Sequence, residues 1–206
     1  MPRITKTPEE RKLEIVKTAL ELFSEKGYEN TTIQDIAEHM NVSQGLCYRY
    51  FKSKQEIFAA ASAYYAMQSA ESMNQPFREN AGAIEKLNTV IGNLFAFALK
   101  NSEFEATYNK EVSINTERIQ KLALYIADTV IPIVEQGNDE GVFHCENIPN
   151  TIKLLSFGII NLIHYDMPTE HVQQHIQSFI PTIIKACKDL LRCEDNNIGA
   201  GWNQIK

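Results

Sequence analysis

Residues 31–58 read TTIQDIAEHMNVSQGLCYRYFKSKQEIF, a spacing that predicts a short helix, a tight turn, a second short helix and the start of a third. Thr31 or Thr32 caps the first helix, since either hydroxyl can accept an amide that helix geometry leaves without a partner, with Gln34 or Asp35 three positions on. Ile33, Ile36, Ala37 and Met40 then fall on one helical face. Asn41, which tolerates a left-handed backbone, ends the helix, Val42 fills the angle, and Ser43 caps the next. In that second helix Leu46, Cys47 and Tyr50 turn toward a core, leaving Gln44, Gly45, Tyr48 and Arg49 on the opposite face. Ser53 with Glu56 predicts a further capping box, so a long helix starts at Lys54 with Ile57, Phe58 and Ala61 inward. Two short helices at a fixed turn, the second with a polar outer face, are the pattern of a helix-turn-helix.

The run VSQGLCYRYFKSKQEIF at 42–58 resembles the TetR family of one-component transcriptional regulators. It joins a cap, a glycine, two aromatic residues and a second cap at that family's offsets. It departs from the pattern at Cys47, where a larger aliphatic residue is usual, and at Ile57, where leucine is usual. The resemblance covers roughly residues 8–65. It implies an all-α chain with an N-terminal three-helix helix-turn-helix DNA-binding domain followed by a C-terminal helical ligand-binding and dimerisation domain. Its expected partners are a double-stranded DNA operator, a small-molecule effector and a second copy of the chain.

By the same resemblance, Gln44 and Arg49 would reach base edges, although Arg49 could equally hold a phosphate. Gly45 would let the backbone come close. Tyr48, Tyr50 and Lys54 would bind phosphate, as would Thr32 and Gln34 from the first motif helix. For Tyr50 the competing reading is core packing with its hydroxyl at the rim.

Upstream, Thr7-Pro8-Glu9-Glu10 combines a hydroxyl cap, a proline at the first helical position and a glutamate that closes the box. The helix runs to about Lys26 with a stripe of Leu13, Val16, Ala19, Leu20 and Phe23, and Gly27 stops it. Arg3 and Lys6 lie on an arm that either touches DNA or is solvated.

The chain has 206 residues and a net charge of −6. Residues 1–55 carry nine Lys/Arg against eight Asp/Glu, and residues 56–206 eleven against eighteen, so the acidity lies wholly in the C-terminal part. That part is not a DNA-binding surface. The N-terminus has no apolar signal region, no apolar run approaches the ~20 residues of a membrane span, and the four cysteines show no CxxC spacing. A cytoplasmic chain without a membrane partner is expected.

The expected domains are residues 1–55, with a connector helix at 54–73, then 74–195, and a mobile tail at 196–206 in which Trp202 is either docked or exposed. Helices are predicted near 82–100, 103–113, 116–138, 148–165 and 169–193, with the largest loop at 137–147. The last two are apolar around most of their circumference, so both need cover on every side. Either a monomeric core supplies it, or the resemblance does, through a four-helix dimer bundle using Phe157, Ile160, Phe179, Ile183, Cys187 and Leu190. The resemblance also implies an effector pocket, for which Phe95, Phe104, Tyr108, Tyr125, Phe157, Asn161, His164 and Tyr165 are candidates.

His171 and His175, four apart, and His144-Cys145 lack a convincingly spaced third metal ligand. Nothing beside Cys145 or Cys193 would strongly lower a thiol pKa. No glycine-rich phosphate loop or nucleophile elbow is present. Neither metal, cofactor nor enzymatic activity is therefore expected. The alternative function is a helical ligand-binding or protein-interaction module that does not bind DNA.

Overall fold

Helix α1 (Pro8–Lys26) begins with the reciprocal box its sequence encodes: the Thr7 hydroxyl accepts from the Glu10 amide at 3.2 Å, and the Glu10 carboxylate accepts from the Thr7 amide at 2.7 Å. Gly27, with φ of +79°, turns the chain out of it. Helix α2 (Ile33–His39) repeats the device with Thr32 and Asp35. Thr31 is not the cap; it is buried and donates to the carbonyls of Leu22 and Gly27. Asn41 has φ of +55° and forms the left-handed turn to α3 (Gln44–Tyr50), while the Val42 amide closes back on Ala37. Ser53 caps α4 (Lys54–Met73), and Glu56 reaches back to the Lys52 amide, one residue earlier than the standard box.

The computed structural model describes residues 6–74, 76–102, 104–105, 112–165, 167–168 and 170–202, without the side chains of 112–117. Among these the remaining helices are α5 (Ala83–Lys100), α6 (Val112–Asp139), α7 (Ile148–Tyr165) and α8 (Val172–Leu191), and there is no strand. The fold is all-α. The chain divides into two units, Met1–Met67 and Gln68–Lys206, with the division inside α4. Of the helix expected at 103–113, only Phe104 and Glu105 are described with their surroundings, both helical and buried. Arg3 lies outside the described residues.

The first unit closes over Ile15, Val16, Ala19, Leu22, Phe23, Ile36, Ala37, Cys47, Ile57, Phe58 and Ala61, all buried. Phe23 meets Phe58 edge-on at 5.4 Å, and Tyr28 lies 4.6 Å from Phe58. The α1 stripe is rotated from the sequence expectation: Ile15 and Leu22 are inside, Leu13 is exposed and Leu20 is half-buried. Both sets share helical spacing, and packing against α2 and α4 selects between them.

In the second unit α5 starts at Gly82, which has no side chain to cap with, and Glu140 from the end of α6 accepts the Ala83 amide instead. The expected loop at 137–147 is shortened because α6 runs to Asp139. Asn138 then clamps Cys145 through both its amide and its carbonyl. A side chain at Gly137 would overlap the buried Phe143 ring, so glycine is required there. Helix α8 is shorter than expected because His171 and Arg192 take left-handed backbone at its ends. Pro132 and Pro181 lie inside helices that continue past them.

The tail is the clearest correction. Cys193, Ile198 and Trp202 are buried, Asn88 on α5 bonds the backbone of Asn197 and Gly199, and the Trp202 indole donates to the Asn88 carbonyl at 3.1 Å. Gly199 and Gly201, both at positive φ, bend the segment so that Ile198 and Trp202 reach the helices. The sequence carried the signal as two apolar residues in a polar stretch. Residues 203–206 lie outside the described residues.

Three capping carboxylates make acid stability predictable. Amide and hydroxyl donors hold them below the usual carboxylate range: the Thr7 amide first for Glu10, the Thr32 hydroxyl first for Asp35, and the Ala83 amide first for Glu140. A depressed folded-state pKa gives stability that is fully present above the unfolded value and lost as pH falls through the folded one. Urea midpoints are expected to stay level from neutrality to about pH 5 and to fall below about pH 4. Asp35→Asn should flatten that fall; an unchanged slope would remove the attribution.

Candidate nucleic-acid interface and ligand cavity

The outer face of α3 carries Gln44, Gly45, Tyr48 and Arg49, all exposed, while Cys47 on its inner face is completely buried. Tyr48 is 51% exposed, so its ring and hydroxyl are open to a partner. Tyr50 is half-buried, as its competing core reading required. Nothing lies within 4 Å of where a Gly45 side chain would begin, so folding alone places no demand for glycine at that point. Ser43 occupies the N-cap position of α3, but its side chain makes no capping bond.

Three of the expected phosphate-binding residues are already engaged. The Thr32 hydroxyl both accepts from the Asp35 amide and donates to its carboxylate. Gln34 donates to Glu38 at 2.7 Å, and the Lys54 ammonium donates to the Tyr28 carbonyl at 2.9 Å while lying 4.2 Å above the Tyr28 ring. Gln34 and Thr32 remain exposed, and Lys54 is half-buried. The face that needs no rearrangement is therefore the outer side of α3.

The second unit encloses a cavity offering about 90 Å³ to the centres of water-sized molecules. Branched aliphatic side chains make most of its wall, among them Leu87, Ile91, Ile126, Ile159 and Ile183. Of the candidate pocket residues, Phe95 and His164 line it. Phe104 is buried elsewhere, Phe157 is half-buried outside the lining, and Tyr125 is half-buried with its hydroxyl bonded to Asn74. Asn161 is exposed and donates to the Phe157 carbonyl, and Tyr165 is 84% exposed. Tyr108 lies outside the described residues.

Sequence reading missed Glu105, which also lines the cavity. Its carboxylate receives both terminal nitrogens of Arg118, at 3.1 and 3.4 Å, and faces His164 Nε2 at 3.1 Å. All three side chains are buried. The opposite ring nitrogen, Nδ1, lies 2.8 Å from the Ile160 carbonyl. Removing any one member would leave buried polar groups without their counterpart.

The expected dimer residues separate into two groups. Ile160, Ile183 and Cys187 are buried and line the cavity, Phe157 and Phe179 are half-buried, and Leu190 is exposed. The outward apolar face consists instead of Leu154, Gly158, Leu162 and Tyr165 on α7, with Phe179, Thr182, Ala186 and Leu190 on α8. A shallow groove runs between the two helices along this face.

All four cysteines are unpaired and buried, and burial pushes the Cys187 thiol up to about 12. No group of three or more possible metal ligands exists among the described residues. His171 precedes α8 rather than sharing its helical face with His175, whose Nε2 faces the Ile163 carbonyl. Among the described residues no helix is long and apolar enough to cross a membrane.

Residues 15–61 match the family of bacterial regulatory proteins known as the tetR family. The HTH-type transcriptional regulator YerO of Bacillus subtilis (strain 168), itself uncharacterized, is 40% identical over 73 residues, covering 35% of this chain and 25% of that protein. The fatty acid metabolism regulator protein of the same strain is 33% identical over 84 residues, 41% of this chain and 43% of that protein. The chain thus spans less than half the length of these relatives. A TetR transcription regulator from Haloarcula marismortui ATCC 43049 shares the fold with a TM-score of 0.74, at 19% identity over 89% of this chain and 99% of that one. The likeness in sequence to that family is thus carried by residues 15–61, and the fold is shared with a TetR regulator across most of the chain.

Proposed function

We propose that the protein is a transcriptional repressor that binds a near-palindromic operator as a homodimer and is released by a small, largely apolar effector. The observation that carries this reading is the outer face of α3, where Gln44, Gly45, Tyr48 and Arg49 stand exposed on a helix held by capped neighbours. A short helix with its polar side outward fits the major groove. Glutamine pairs best with adenine, arginine with guanine, and a tyrosine hydroxyl with a phosphate. Gly45 allows the approach, since open space lies over its Cα.

Two copies make one weak reader specific, because recognition helices about one DNA turn apart, ~34 Å, engage successive major grooves. The outward apolar face of α7 and α8 supplies a surface for that pairing. The cavity of the second unit is the effector site. A ligand there releases DNA by favouring dimers whose recognition helices are too far apart for the grooves.

Gel shifts of the full chain on DNA from upstream of its own coding region test the reading. Tyr48→Ala is expected to weaken binding about fivefold on every sequence, the size of one lost hydrogen bond. Gln44→Ala should chiefly erase preference at one base pair, worth roughly 1–3 kcal/mol of discrimination. Failure of the unsubstituted chain to bind at low salt would replace this function with a helical module that does not bind DNA.

A further inference from the structure

We propose that the cavity of the second unit selects an uncharged, unbranched aliphatic molecule with one oxygen-bearing end, such as a straight-chain alcohol or aldehyde. This rests on reading the cavity as the effector site and adds the chemical class. Three observations carry it.

The first is shape. On α7 the lining extends from Ile152 to His164, about 18 Å of helix at 1.5 Å per residue. A volume of about 90 Å³ beside so long a lining suits a slender chain better than a compact ring system.

The second is the state of two serines. Ser69 and Ser156 are 3% and 5% exposed and line the cavity, and neither hydroxyl makes a hydrogen bond among the described residues. Other helical hydroxyls, those of Ser24, Ser62 and Thr129, fold back onto the carbonyl four residues earlier. A hydroxyl with no bond to the protein is available to a ligand oxygen, both as donor and as acceptor.

The third is charge. Among the described residues, the other lining side chains with oxygen or nitrogen are Glu105 and His164, which face each other, and Arg118 holds Glu105 in a two-pronged pair. A ligand carboxylate would lie in the same apolar enclosure as the Glu105 carboxylate and draw its cation away. An uncharged oxygen asks only for the serine hydroxyls.

Trp202 is the only tryptophan in the chain, and its ring lies 6.0 Å from that of Phe95 in the cavity wall, so its emission reports on the cavity. The full chain is titrated with decan-1-ol, with decanoate at pH 8, and with 1-tetralol, which has the same carbon count folded into two rings. Melting temperature is recorded as a second readout. The expected result is saturable binding of decan-1-ol at least tenfold tighter than either comparator. In the Ser69→Ala, Ser156→Ala double variant, decan-1-ol affinity should fall about fivefold while undecane affinity holds.

Equal or tighter binding of decanoate or 1-tetralol overturns the proposal, as does decan-1-ol leaving both emission and melting unchanged. Operator binding by the same preparation separates the two readings. DNA binding retained without decan-1-ol binding removes only the ligand class, whereas decan-1-ol binding without DNA binding supports it and removes the regulator.

Discussion

Replacing Leu154 and Leu162 together by lysine is expected to give a folded monomer whose operator affinity is lower by roughly 10²–10⁴-fold. Leu154 is 66% exposed and Leu162 is 52% exposed, and both lie on the outward stripe of α7 with Gly158 between them. In an isolated chain such surface changes move stability by about 0.5 kcal/mol or less. In a dimer they set like charges into an apolar interface, where desolvation costs several kcal/mol per ion. Loss of pairing converts a two-handed grip into a one-handed one, and the lost avidity sets the size of the effect. Sedimentation, melting and gel shift on one preparation decide it. A persistent dimer, or a monomer that binds the operator undiminished, contradicts the assignment of this face.

Trp202→Ala is expected to destabilise the second unit by about 3–5 kcal/mol, the usual range for removing a large buried aromatic residue. The indole is 1% exposed, donates to the Asn88 carbonyl, and lies against Gly92 and Phe95 on α5. Its loss opens a cavity and removes the bond that ties the segment to the Asn88 carbonyl. At ~2–4 °C per kcal/mol the thermal midpoint should fall by about 10 °C. A fall of no more than a degree or two would mean that residues 193–202 do not hold the unit together.

The first unit was legible because its signals are local. A capping box joins residues three apart, and Asn41 at positive φ marks a turn that few other residues make, so α1 to α4 follow from neighbours in sequence. The outward face of α3 followed for the same reason. Periodicity failed where two stripes were equally spaced, as with Leu13 against Ile15 and Leu22 on α1, because the choice belongs to the partner helices.

The cavity was less legible. Aromatic side chains drew attention as pocket residues, yet Tyr165 faces outward and Phe104 is core, while the wall is built from branched aliphatics that in sequence look like any other core residue. Glu105 meets Arg118 and His164 across 13 and 59 positions, a separation that spacing rules do not reach. The inward side of α7 and α8 was likewise indistinguishable from the outward side, because both are apolar; Ile160, Ile183 and Cys187 belong to the first, Leu154 and Leu162 to the second.

The central claim is that α3 reads DNA twice per assembly. Selection of bound fragments from a random-sequence duplex pool by the full chain tests it most directly. The expected result is enrichment of an inverted repeat whose half-site centres lie about one helical turn apart, roughly 10 base pairs. Recovery of a solitary half-site, or no enrichment at low salt, would contradict it.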